Sequence, residues 1–77
     1  MARAKTVWGI DIGQCALKAV RLREAEGQVQ VEALDIVEHA QVLSHPEADR
    51  PALIRAALDQ FLSRNSVAGC QVVVSPP

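Results

Sequence analysis

Aromatic side chains are nearly missing from this chain. There is no tyrosine, one tryptophan (Trp8) and one phenylalanine (Phe61) among 77 residues. Aliphatic residues must therefore fill any core, and a hydrophobic content of 49% is enough for a globular one. No sign of charge dominates: a formal net charge of −1 leaves no electrostatic footprint for nucleic acid or an anionic membrane. There are only two cysteines, Cys15 and Cys70, and without a secretory signal they read as reduced small hydrophobes. Arg3 and Lys5 precede an apolar run, but Asp11 interrupts it and no small-residue cleavage site follows. No run reaches the ~18 apolar residues that a membrane span needs. His39 and His45 have no Cys or His at ligand spacing, so both read as surface histidines rather than metal ligands. At this length the chain is one small domain, burying only roughly 60% of its unfolded surface. These absences point to the cytoplasm.

What is present concentrates in one stretch, WGIDIGQCALKAVRLR, from Trp8 to Arg23. Two β-prone runs flank a Gly-bearing turn, which predicts a hairpin of Thr6–Ile12 and Ala16–Arg23. Two charges, Asp11 and Lys18, stand where a half-buried hairpin would carry apolar residues. A two-residue loop of Gln14 and Cys15 sets Gly13 against Ala16, Ile12 against Leu17 and Asp11 against Lys18. Opposed residues of an antiparallel pair share a face, with Cβ atoms roughly 4.5–5.5 Å apart. A three-residue loop would place Lys18 opposite Ile10 and send the two charges to opposite faces. The first register is expected, because it gathers Trp8, Ile10, Ile12, Leu17 and Ala19 on one face and the carboxylate, amine and glycine on the other.

A carboxylate at a strand end suits a hydrated Mg²⁺, which keeps most of its waters. A tight glycine turn lets backbone N–H groups approach phosphate oxygens, and a nearby lysine adds a point charge for the same oxygens. The same residues also read as a cross-strand salt bridge beside a turn glycine. The longer pattern, VWGIDIGQCALKAVRL, resembles the first phosphate-binding hairpin of the actin-like ATPase superfamily, which includes actin, Hsp70 chaperones, sugar kinases and FtsA. Within it the chain is most similar to the PilM family of type IV pilus assembly proteins, through Gly9, Ile10, Asp11, Ile12, Gly13, Leu17, Lys18, Ala19, Val20 and Leu22. The resemblance implies an ATP- and Mg²⁺-binding protein in which Asp11 organises the metal through water. It implies that the backbone of Gly13, Gln14 and Cys15 cradles phosphates and that Lys18 touches them. The family usually has Ser or Thr after the glycine, where this chain has Gln14 and Cys15. A hydroxyl contact is thus lost or passes to the Gln14 amide. The resemblance further implies a place on the cytoplasmic side of the inner membrane, docked to a PilN-like pilus protein.

The rest of the chain extends the same plan. Met1 to Lys5 is a short basic lead that reads as a solvated end. Glu24 to Gly27 predicts a second tight turn, into a third strand over 28–40. Val29, Val31 and Ala33 are apolar at odd positions, whereas Leu34 and Ile36 continue at even ones. Such a phase slip signals a β-bulge, or a strand end buried on both faces. Asp35 and Glu38 read as solvated or edge charges. After a polar connection over 41–50, Pro51 opens a helix to Arg64, with Leu53, Ile54, Ala57, Leu58, Phe61 and Leu62 as its apolar stripe. Asn65 and Gly69 bracket the following turn, since both tolerate αL. Cys70–Ser75 reads as a last strand buried on both faces, ended by Pro76 and Pro77.

The expected order is β-β-β-α-β, an α/β fold with one helix packed on a mixed sheet and strand four parallel to strand three. By resemblance this is the opening half of a ribonuclease-H-like sheet. Residues 1–77 are then expected to be a truncated N-terminal part of an actin-like ATPase domain, inactive alone because the second lobe is missing. A sugar-kinase-type relative sharing the hairpin is the enzyme alternative. A ribonuclease H fits less well, since Asp59 lies outside the helix stripe. The non-catalytic alternative is an interaction module that forms a homodimer through an open sheet edge or by exchange of an element.

Overall fold

The computed structural model describes residues 5–77; the basic lead lies mostly outside them. The elements are β1 (Lys5–Ile12), β2 (Ala16–Ala25), β3 (Gln28–Glu38), α1 (Arg50–Arg64) and β4 (Gln71–Ser75). This is the expected order, an α/β arrangement of one helix on a four-stranded sheet ordered β3-β2-β1-β4. β2 is antiparallel to both β1 and β3, while β4 joins β1 in parallel. β3 and β4 therefore run the same way at opposite edges, with the connection through α1 spanning the sheet.

Both hairpins follow from their turns. Glu26 and Gly27 have φ of 55° and 76°, the doubly positive pair of a type I′ turn, whose twist matches that of the flanking strands. Further along, the register of β2 on β3 shifts between Arg21 and Leu22, whose partners are Ala33 and Val31. Glu32 is thus the extra residue of a β-bulge. Its carboxylate lies 3.0 Å from Arg21 Nε and 3.9 Å from Arg23 Nη1.

The core lies on one side of the sheet. Trp8, Ile10, Ile12, Leu17, Ala19 and Val37 meet Ala57 and Phe61 of α1 and Leu43 of the connection. Trp8 and Phe61 pack edge to face, with ring centroids 4.9 Å apart and planes at 86°. The indole N–H donates to the Ser66 carbonyl at 3.1 Å, so the one buried polar atom of the tryptophan is satisfied. Asp49 caps α1 by accepting from the Ala52 N–H at 3.1 Å.

Four expectations need correction. β4 is exposed along its whole length rather than buried on both faces. The cause is the placement of α1, which packs over β2 and β3, leaving the β4 edge bare on both sides. Leu62 is exposed for the same reason, at the margin of the helix contact. Asn65 is extended (φ −136°) rather than αL, and its side chain closes the helix end by donating to the Phe61 carbonyl at 3.0 Å; Gly69 alone is left-handed there, with φ 74°. Asp35 is no solvated charge. It accepts from Arg64 at 2.9 Å and from Asn65 Nδ2 at 2.7 Å, tying the C-terminal end of α1 to β3.

Candidate functional site

The two-residue register of the first hairpin is the observed one: Asp11 opposes Lys18 and Ile12 opposes Leu17. Both charges are exposed, and they lie on the sheet face turned away from the helix. They form no ion pair with each other; the salt bridges among the described residues are those of Arg21, Arg23 and Arg64. The simple cross-strand salt bridge is therefore not what the pair makes, and both side chains remain available to a third group. Ser75, opposite Asp11 on β4, stands on the same face.

The loop beside them is held from behind. Gly13 N–H donates to the Ala16 carbonyl at 2.9 Å, and a Cβ at Gly13 would come within 3.2 Å of that same oxygen. The backbone there passes too close for a side chain without a shift. The Gly13 carbonyl accepts from His39 Nε2 at 3.0 Å. A carbonyl only accepts, so Nε2 carries a proton in this bond, and Nδ1 is buried without a partner. Two further bonds, His39 N–H to the Cys15 carbonyl and Leu43 N–H to the Gln14 carbonyl, both 2.9 Å, fasten the loop to the segment after β3.

Three consecutive carbonyls of the loop are thus engaged from one side. The N–H groups of Gln14 and Cys15 donate no hydrogen bond to the described backbone. A loop whose carbonyls are tied back and whose N–H groups are free is polarised to receive an anion. His39 is half-buried and structural here rather than a surface residue, a role its sequence neighbourhood did not signal. His45 is exposed, and its Nδ1 accepts from the Glu47 N–H at 3.1 Å. Cys15 is an exposed free thiol and Cys70 a half-buried one.

Among the described residues no three His, Cys, Asp or Glu side chains are grouped to hold a metal. A cation at Asp11 would accordingly be one that retains most of its waters and takes its other ligands from a bound phosphate. Among the described residues no helix is long and apolar enough to cross a membrane. Comparison with protein-family models, curated proteins and solved structures finds no match.

Proposed function

We propose that the β1–β2 hairpin is a phosphate-binding hairpin of the actin-like ATPase type, taking the polyphosphate of ATP together with Mg²⁺. The observation that carries this reading is the pairing of Asp11 with Lys18 on one face, next to the Gln14 and Cys15 N–H groups. Asp11 orients a hydrated Mg²⁺ through its water shell, Lys18 neutralises phosphate charge, and the loop N–H groups bind phosphate oxygens. The metal supplies charge neutralisation between phosphates; the chain's own residues position it. Gly13 keeps the loop backbone close to its partner strand, and His39 holds its carbonyl turned away from the anion. The sheet order β3-β2-β1-β4, with three antiparallel strands and then a parallel one after a helix, supports a ribonuclease-H-like reading of the same chain. On this reading the intact protein acts at the cytoplasmic face of the inner membrane with a PilN-like partner.

The test uses Mg²⁺ with inorganic pyrophosphate, the part of the nucleotide that this hairpin would bind, read by amide chemical shifts in NMR. The expected result is millimolar binding whose shifts centre on Gly13–Lys18 and need Mg²⁺. Lys18→Ala weakens it by roughly tenfold, about 1.4 kcal/mol, and Asp11→Ala removes the Mg²⁺ dependence. Shifts elsewhere, or equal binding by both variants, would leave the hairpin a purely structural element.

A further inference from the structure

The sheet has a second face that no part of the described chain covers. It is built from alternate residues of each strand: Lys5, Val7, Gly9 and Asp11 on β1, and Glu24, Leu22, Val20 and Lys18 opposite them on β2. β3 adds Val29, Val31, Leu34 and Ile36, and β4 adds Val73. Leu34 is 75% exposed, and Val29, Val31, Ile36 and Val73 are all more than half exposed. The Glu32 bulge matters here. Val29 and Val31 precede it at odd positions, Leu34 and Ile36 follow at even ones, and the extra residue keeps all four on one face. A bulge that preserves an apolar row in open water serves nothing in the isolated chain.

We propose that this face is a dimer interface, on which a second copy packs its own bare face about a two-fold axis running across the strands. Three properties of the face are self-complementary under that axis. Rotation lays Asp11 over the partner copy's Lys5 position and Lys18 over its Glu24 position, so each charge meets its opposite. It lays Ile36 over Val29 and Leu34 over Val31, apolar on apolar. It also lays Gly9 over Val7, so the dip left by the missing side chain receives a branched one. An axis running along the strands would instead set the long apolar row of β3 against the five-residue β4, where Gln71 and Ser75 flank the single Val73. Packing of two sheets face to face with nearly aligned strands is an ordinary sandwich geometry, and a two-fold makes the contact isologous and closed.

The area suffices. Strands of 8, 10, 11 and 5 residues, at ~3.3 Å per residue and ~4.8 Å between strands, present a plane of roughly 540 Å². Two such planes together clear the ~1,000 Å² that a specific interface needs. A groove of about 410 Å³ on this face, lined by Gly9, Val20, Leu34, Ile36 and Val73, is the space the partner's side chains enter.

The interface and a bound phosphate draw on the same two charges, Asp11 and Lys18, so each excludes the other there. The test reads mass rather than ligand, and its outcome does not depend on whether phosphate binds. In sedimentation equilibrium the chain is expected to be a dimer in reversible exchange with monomer. Leu34→Asp, at a site exposed in the monomer, gives monomer with an unchanged circular dichroism spectrum. Lys18→Glu sets two carboxylates against each other and weakens the dimer by roughly tenfold; Lys18→Glu with Glu24→Lys restores it. A monomer at every concentration would overturn the proposal. So would a dimer indifferent to Leu34→Asp, which would be paired through a strand edge instead, or a double variant no tighter than the single one.

Discussion

Two residues carry a disproportionate part of the packing. Trp8 and Phe61 are 1% and 0% exposed, and they join β1 to α1 in a chain that has no other aromatic residue. Replacing a buried aromatic by alanine typically costs about 3–5 kcal/mol, a large share of the stability available to a domain of this size. Phe61→Ala is therefore expected to leave the chain largely unfolded at room temperature, with Trp8 emission shifted to the red; a native-like emission maximum would show the core closing around the gap. Glu26 works in the other direction. Its left-handed conformation disfavours any side chain by about 1–2 kcal/mol, and asparagine or glycine tolerates it better. Glu26→Gly should raise the unfolding free energy by about 1 kcal/mol, seen as a higher urea midpoint at unchanged m-value. An unchanged midpoint would mean that the turn carries no strain.

At the scale of elements, the physics of each turn and stripe decides what could be read in advance. The register of β1 on β2 was legible because Asp11 and Lys18 make sense only on one shared face, and a one-residue change in the loop would bury one of them. The bulge was legible as a phase slip between Val31 and Leu34, since apolar residues keep to a face even when the numbering does not. Which face it was could not be read: period-two alternation assigns residues to two sides but does not say where the helix lies. That is why Val72, Val73 and Val74 looked like a strand covered on both sides and are in fact exposed. Asp35 and His39 were misread for a related reason. Each acts on backbone or side chains remote in sequence, Asp35 on the end of α1 and His39 on Gly13, and no local pattern announces such partners. The helix start is simpler. Asp49 stands two residues before a proline that suits the first turn, and Asp49→Ala should cost about 1 kcal/mol through the lost cap to Ala52. A loss no larger than that of an exposed-face variant such as Gln60→Ala would show the cap to be idle.

At the scale of the whole molecule, shape and chemistry agree. The described chain extends 52 × 19 × 15 Å with a radius of gyration of 14.2 Å, whereas a compact domain of this length has one of about 11.5 Å. The excess arises because a four-stranded sheet is covered on one side only, by a helix that leaves β4 bare. A one-sided sheet has lost the core that its second face would supply, so its folding free energy must depend on what that face meets. If the occupant is a second copy, folding and association are linked, and the apparent melting temperature becomes a function of concentration. For a chain of this size a tenfold rise in concentration should lift Tm by roughly 3–6 °C. Leu34→Asp should abolish that dependence while leaving the dilute-limit Tm nearly unchanged, since the substituted side chain meets only solvent in the monomer. A Tm constant across concentration in the parent chain would mean that the sheet is stable with its apolar side wet, and that the bulge at Glu32 keeps its row aligned for some partner other than itself.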